Sequence, residues 1–161
     1  MHRAFIGLGA NLGQPVTQIR DAFKGLREHP GITMLRESSL YSSSPVDAPG
    51  QPDFVNAVAM IDSTLEPLAL LRVLHELEAQ SGRVRSFQNA PRTLDLDLLL
   101  YDDQVLDLPD LRIPHPRMHL RRFVLAPLVE IAPEADIPGH GNAARLLEGL
   151  ADQAVKRLPP G

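Results

Sequence analysis

The order of apolar patterns along the chain is the feature that most narrows the folds it can adopt. Apolar side chains recur every three or four residues in two segments, which predicts two helices. Short apolar or alternating runs, which are typical of strands, precede, separate and follow these helices. The predicted helices run from Pro15 to near His29 and from Glu66-Pro67 to Gly82, and the predicted strands are AFIGLGA, a strand in ITMLRESSLYSSS that a long loop follows, FVNAVAMID and TLDLDLLLY.

This β-α-β-β-α-β order is the ferredoxin-like α+β pattern, in which helices cover one face of an antiparallel sheet. We expect the other face to be left to loops and ligands. A short hairpin at VLDLPDL and extra C-terminal helices, one around residues 123–131 and one from residue 143, follow the last strand. Since no linker or internal repeat interrupts the sequence, we predict a single domain over residues 1–161.

Composition excludes several classes of function. The chain has no cysteine, so it can form no disulfide, no cysteine-ligated metal site and no thiol nucleophile. Its 16 basic and 20 acidic residues give a net charge of −4, and only 4% of residues are aromatic, which argues against a nucleic-acid partner. No apolar run approaches about 18 residues and the N-terminus lacks a signal-like apolar region. We therefore expect a cytoplasmic protein that binds small molecules and has no membrane contact.

The glycines near the N-terminus resemble a dinucleotide-binding fingerprint only superficially. In IGLGANLG, the third glycine of that motif would have to stand at position 12, which is Leu12. We therefore expect the glycine-rich stretch to be the place where the strand AFIGLGA runs into a tight turn before the first helix, and we assign no phosphate binding to it.

The sharpest chemical feature is the pair Asp95 and Asp97. Residues i and i+2 of a strand point to the same side, so the two carboxylates should lie close together on one side of the strand. Oxygen ligands without cysteine select a hard cation such as Mg²⁺, which commonly completes its coordination with substrate phosphates. Arg83, Arg85 and Arg92 lie close by in the sequence and suit bidentate phosphate binding. The alternative is a solvent-facing polar stripe with surface arginines.

His115 and His119 are spaced like a pair of zinc ligands on a helix. Pro114 and Pro116 argue against a continuous helix there, so we do not predict a zinc site. His115 can instead donate a hydrogen bond to a phosphate group.

Five segments together resemble one enzyme family. They are IGLGANLG, GQPDFVNAV, GRVR, APRTLDLDLLLY and IPHPRMHLRRF, and they occur in this order between about residues 4 and 133. The chain resembles the 6-hydroxymethyl-7,8-dihydropterin pyrophosphokinase family of folate biosynthesis, and PR-x-x-D-x-D is the most specific part of the match. The resemblance implies transfer of pyrophosphate from ATP to the hydroxymethyl group of the reduced pterin, with release of AMP.

The resemblance also implies roles for individual residues. It places two Mg²⁺ ions on Asp95 and Asp97 and catalytic arginines at Arg83 and Arg92. Implied pterin contacts are Ser43, Ser44, Val46, Phe54, Asn56 and Phe123, where the two aromatic rings sandwich the pterin and the asparagine reads its edge. Implied nucleotide contacts are Glu78, Arg85, Leu98, Leu111, His115 and Arg121. The chain departs from the family pattern at Asn89, where a tryptophan is common, and its loop around residues 83–92 is one residue shorter.

Two other functions remain open on the residues alone. A metal-dependent phosphohydrolase could use the same aspartates and would release phosphate without a pterin. A non-catalytic ferredoxin-like module that binds a small ligand or a partner chain would not need the aspartates at all. We expect a monomer by default.

Overall fold

The computed structural model describes residues 1–44, 53–82 and 94–159. It confirms the predicted order of helices and strands. The strands are β1 (His2–Ala10), β2 (Ile32–Glu37), β3 (Tyr41–Ser43), β4 (Phe54–Ser63), β5 (Asp95–Tyr101), β6 (Leu106–Leu108), β7 (Leu111–Ile113), β8 (Asp136–Ile137), β9 (Gly141–Asn142) and β10 (Val155–Arg157). The helices are α1 (Pro15–Glu28), α2 (Pro67–Gly82), α3 (Arg122–Ile131) and α4 (Ala143–Glu148), with a short 3-10 turn at Met118–Leu120 before α3.

The central strands of the main sheet are β1 and β4, which pair antiparallel from His2 opposite Ser63 to Ala10 opposite Val55. β5 pairs antiparallel with the other edge of β1. β2 and β3 pair with successive parts of the free edge of β4, and β10 pairs with β3. The order β2-β4-β1-β5 with two intervening helices is ferredoxin-like, which confirms the predicted fold class.

The first face of the sheet packs against α1 and α2. This layer forms because each helix presents an apolar stripe and each strand presents alternate apolar side chains. On β5, Leu96 and Leu98 are each 3% exposed and pack into this core. The buried stripes of the two helices contribute Ile19, Ala22, Phe23, Leu26, Leu70, Val73 and Leu74.

α3 covers half of the second face, which the sequence analysis left entirely to loops and ligands. Val58 and Met60 of β4 and Leu99 of β5 are buried here against Leu125 and Leu128 of α3. Without this helix, these apolar side chains would lie against water. The expectation of an uncovered second face therefore holds only for the other half.

The uncovered half differs in chemistry because the strands carry polar residues and glycines there. On β5 the outward residues are Asp95 and Asp97, on β1 they are Gly9 and Gly7, and on β4 the next outward residue beyond Val58 is Asn56. The same face is thus a core under α3 and a polar surface beyond it.

One local prediction is confirmed and one needs correction. Gly7 and Gly9 lie inside β1, as the predicted strand AFIGLGA placed them, and Gly13, with a φ of 72°, is the glycine in the turn between β1 and α1. The long loop predicted after β2 contains the short strand β3, whose polar Tyr-Ser-Ser sequence has no strand-like apolar pattern.

We predict that Leu128→Ala lowers the free energy of unfolding by about 2–5 kcal/mol, since Leu128 is fully buried between α3 and the sheet. Urea unfolding measures this change. The matched control is Leu68→Ala, at a leucine that is 44% exposed, which should change stability by less than about 0.5 kcal/mol. Equal effects of the two substitutions would show that α3 does not form a second core layer.

Candidate active site

One row of residues crosses the uncovered half of the sheet. Asp95 on β5 lies opposite Gly9 on β1, and Gly9 lies opposite Asn56 on β4. Asp97 lies in the next row, opposite Gly7. Because Gly9 has no side chain, its backbone forms an open floor between Asp95 and Asn56, which we call the glycine floor. Gly7 lies under the side chain of Leu99, which a Cβ placed on Gly7 would meet at 3.3 Å.

The amide of Asn56 has a defined orientation. The hydroxyl of Ser43 donates a hydrogen bond of 2.6 Å to Oδ1 of Asn56, and both residues are 6% exposed. Since Oδ1 is occupied, Nδ2 is the group directed toward the glycine floor, and a Cβ placed on Gly9 would lie 3.2 Å from it. Ser43 itself pairs with Phe54 across β3 and β4. Three of the predicted pterin residues therefore lie side by side.

A cavity of about 350 Å³ opens beside the aspartates. Its walls include six of the residues predicted to bind metal or nucleotide, namely Glu78, Asp95, Asp97, Leu98, Leu111 and His115. Apolar leucines and polar groups therefore line the same cavity, which is a combination suited to a ligand with an apolar ring and an anionic chain.

Glu78 serves the strand as well as the cavity. Its Oε2 accepts a hydrogen bond of 2.7 Å from the backbone N–H of Leu96. Leu96 lies between Asp95 and Asp97, so this bond from α2 holds the part of β5 that carries both carboxylates. The family resemblance implies a nucleotide contact for Glu78, and the structure adds this contact with the strand.

His115 enters the cavity in a defined tautomer. Its Nδ1 accepts a hydrogen bond of 3.1 Å from the backbone N–H of Arg117, so the proton of the neutral ring lies on Nε2. Burial lowers the pKa of His115 below its ordinary value of 6.5, and the positive charges of Arg121 and Arg117 lower the pKa further, while Asp95 opposes them. The ring is therefore neutral at pH 7 and offers one N–H donor.

The start of α3 holds the other predicted residues. The guanidinium carbon of Arg121 lies 5.5 Å from the centroid of the Phe123 ring, which is within the range of a cation–π contact. The positive charge of Arg121 also lowers the pKa of His115. Arg121 therefore connects the ring predicted to stack on the pterin with the cavity predicted to hold the nucleotide. The predicted residue Ser44 lies elsewhere, directly after β3, and is exposed.

Four predicted site residues lie outside the described residues. They are Val46, Arg83, Arg85 and Arg92. Asn89, at which the chain departs from the family pattern, lies outside them too.

The donor set of the cavity fits a hard cation that shares its coordination with a substrate. In the described ranges, no group of three or more histidine, cysteine, aspartate or glutamate side chains could hold a metal ion. Asp95 and Asp97 supply oxygen donors from one strand face, and Mg²⁺ is commonly held by one or two carboxylates together with phosphates and waters.

Sequence reasoning missed two features of this site. Gly9 forms its floor, and the signal was glycine inside an apolar strand pattern, which often marks close approach of another group to the backbone. His75 of α2 also lines the cavity, one helical turn before Glu78. The spacing of three residues from a predicted contact could have identified it.

We predict that Arg121→Ala raises the pKa of His115, because removing a nearby positive charge makes the imidazolium less costly to form. NMR titration of the His115 ring proton in the absence of metal and nucleotide measures this shift. Arg20→Ala, at an exposed arginine of α1, is the control and should leave the pKa unchanged. An unchanged or lower pKa in Arg121→Ala would contradict the placement of Arg121 beside this cavity.

The comparisons with solved structures agree with this fold. The chain matches a crystal structure of an HPPK-DHPS in complex with substrates with a TM-score of 0.74 at 12% identity, over 94% of this chain and 43% of that chain. It matches wild-type Plasmodium falciparum HPPK-DHPS with pterin and p-hydroxybenzoate with a TM-score of 0.71 at 15% identity, over 94% of this chain and 43% of that chain. This chain spans less than half the length of those two proteins, and at such identities the likeness concerns the fold alone.

Sequence relatives are closer. The 2-amino-4-hydroxy-6-hydroxymethyldihydropteridine pyrophosphokinase of Pseudomonas aeruginosa is 42% identical over 99% of this chain and 98% of its own length. The enzyme of the same name from Haemophilus influenzae is 41% identical over 99% of this chain and 100% of its own length. The family model for 7,8-dihydro-6-hydroxymethylpterin-pyrophosphokinase (HPPK) matches residues 5–133. These matches confirm the resemblance seen in the sequence, and the chain belongs to the HPPK family.

Proposed function

We propose that this chain transfers the pyrophosphoryl group of ATP to the hydroxymethyl oxygen of 6-hydroxymethyl-7,8-dihydropterin, giving AMP and the pterin diphosphate for folate biosynthesis. Family membership supplies the reaction class and the substrates. The observation that carries the proposal to particular residues is the row Asp95–Gly9–Asn56, which brings a predicted metal ligand and a predicted pterin contact to one sheet surface.

Asp95 and Asp97 are the proposed Mg²⁺ ligands, and the family resemblance implies two ions. When bound, Mg²⁺ neutralises charge on the polyphosphate and orients it for transfer. Alternation along β5 places the two carboxylates on one side of the strand, and the hydrogen bond from the backbone N–H of Leu96 to Glu78 anchors the strand between them before any ligand arrives. This preorganisation lowers the cost of assembling the charged site.

The nucleotide occupies the cavity between α2, β5 and β7 in this proposal. Leu98 and Leu111 supply apolar surface for the adenine, and the Nε2–H of His115 donates a hydrogen bond to a phosphate oxygen. Arg121 adds positive charge beside the same phosphates. Arg83, Arg85 and Arg92, which lie outside the described residues, are assigned by the resemblance to the transferring group and the nucleotide.

The pterin lies over the glycine floor, between the rings of Phe54 and Phe123. Asn56 presents its Nδ2–H groups there because Ser43 occupies Oδ1. Backbone groups of Ser43, Ser44 and Val46 complete the edge contacts that the resemblance implies. Since the pterin neighbours the aspartates, its hydroxymethyl oxygen can approach the polyphosphate, and phosphoryl-type transfer depends mainly on such alignment.

Three further properties belong to this proposal. We assign the enzyme to the cytoplasm and to a monomeric state, with residues 1–161 forming one domain. In support of one domain, β10 near the end of the chain pairs with β3 of the main sheet. None of the helices in the described ranges has both the length and the apolar character needed to cross a membrane.

The direct test is incubation of the protein with Mg·ATP, with and without the reduced pterin, followed by chromatography of the nucleotides. We expect AMP to appear only with the pterin and in step with the pterin diphosphate. ADP or phosphate formed without the pterin would indicate a phosphohydrolase. No turnover by a folded protein would favour a ligand-binding module.

Asp97→Asn should reduce kcat by about 100-fold or more, because the metal ion contributes several kcal/mol of transition-state stabilisation. The amide preserves the size of the side chain, and the unfolding midpoint measured alongside checks that the variant is folded. The control is Asp103→Asn, an exposed aspartate in the turn after β5, which should retain wild-type kcat. Full activity of Asp97→Asn would exclude the proposed metal site.

Gly9→Ala should raise the KM for the pterin by about 10-fold with little change in the KM for ATP. The new methyl group would lie 3.2 Å from Nδ2 of Asn56, whose amide cannot yield freely because Ser43 holds its other end. Gly149→Ala is the matched control, because its added Cβ meets nothing closer than 3.5 Å. Steady-state kinetics with each substrate varied in turn measure the split, and an unchanged pterin KM would contradict the proposed floor.

A further inference from the structure

Gln153 lies between α4 and β10, and neither the sequence analysis nor the proposed function gives it a role. Its Oε1 accepts a hydrogen bond of 2.8 Å from the backbone N–H of Arg122. Its Nε2 donates a hydrogen bond of 2.8 Å to the backbone carbonyl of Leu120. These two backbone groups flank Arg121, so a single side-chain amide holds the main chain on both sides of that residue.

Both backbone groups need a partner from elsewhere. Arg122 is the first residue of α3, and the first N–H groups of a helix have no acceptor within the helix. Leu120 ends the 3-10 turn that precedes α3, and Arg121 between them has an extended backbone with φ of −118° and ψ of 110°. The side chain of Arg121, the residue that precedes α3, makes no capping hydrogen bond with the helix. Gln153, from a distant part of the chain, therefore provides the hydrogen-bond partner for both backbone groups.

The segment that carries Gln153 is itself fixed. The Nη1 of Arg122 donates to the carbonyl oxygens of Gln153, at 2.6 Å, and of Ala151, at 3.4 Å. Two residues after Gln153, Val155 pairs with Ser43 in the main sheet. The segment thus joins the start of α3 to the strand that orients Asn56, which are opposite sides of the proposed pterin site.

From these contacts we infer that Gln153 is a positioning residue, which holds Arg121 and Phe123 in the geometry needed for nucleotide and pterin to bind together. The inference rests on the proposed function for the roles of those two residues. Arg121 and Phe123 contact each other, with the guanidinium carbon 5.5 Å from the ring centroid, so a shift of the junction moves both. Gln153 itself touches no substrate in this account.

Gln153→Met is the most informative variant, because methionine preserves the length of the side chain and removes both hydrogen bonds. We expect kcat/KM for both substrates to fall by about 10- to 100-fold, since small displacements of positioning groups cost this much. Hydrogen exchange of the Arg122 amide, followed by NMR, should quicken by about 10-fold because the amide loses its acceptor. The control is Gln104→Ala, at a half-buried glutamine between β5 and β6, which should change neither quantity.

A purely structural role for Gln153 makes a different prediction. In that case Gln153→Met would lower the unfolding midpoint and quicken exchange of the Arg122 amide but leave KM and kcat at wild-type values. That result would overturn the inference. If Gln153→Met does not fold, Arg122→Gln tests the same junction, because it releases the carbonyls of residues 151 and 153. We expect the same losses in Arg122→Gln, and wild-type kinetics there would overturn the inference.

Failure of the proposed function is a separate outcome. A wild-type protein that forms no AMP would contradict the proposed function. The inference would then be decided by the exchange of the Arg122 amide and by calorimetric binding of Mg·ATP. A Gln153→Met protein with wild-type exchange and wild-type binding would overturn the inference in that case too.

Discussion

Burial of Leu94, Leu96 and Leu98 in the core beneath α1 and α2 fixes which way β5 faces. Because side chains alternate along a strand, this burial directs Asp95 and Asp97 to the opposite face. A shift of one residue would turn the two carboxylates into the core and the leucines away from it, and burying carboxylates among apolar side chains is costly. The metal-binding proposal, the nucleotide cavity and the row to Asn56 all depend on this register.

The second face shows how one surface can serve both stability and chemistry. Under α3 its strands carry Val58, Met60 and Leu99, which form a core, and beyond α3 the same strands carry carboxylates, an amide and glycines. α3 therefore covers the apolar half and brings Arg121 and Phe123 to the border of the polar half. The position of its first turn sets where these two side chains lie, and Gln153 holds the main chain at that turn through two hydrogen bonds.

Sequence patterns predicted the parts of this molecule that depend on local periodicity. The stripes of α1 and α2, the alternation in β5 and the specific segment PR-x-x-D-x-D led to the fold, the family and the aspartate pair. Patterns failed where the outcome depends on distant partners. Gly9 lies within the predicted strand, but its position between Asp95 and Asn56 arises only because β4 and β5 pair on both sides of β1. Glu78 meets Leu96 only after α2 packs on the sheet. A three-residue strand such as β3 has too few residues to show a period at all.

The most direct test of the account is a crystal structure of the protein with Mg²⁺, a non-hydrolysable ATP analogue and the reduced pterin. We expect metal density on Asp95 and Asp97, phosphates beside His115, and the pterin over Gly9 with its edge on Asn56. Metal bound away from the two aspartates, or a pterin bound elsewhere than over β1, would contradict it.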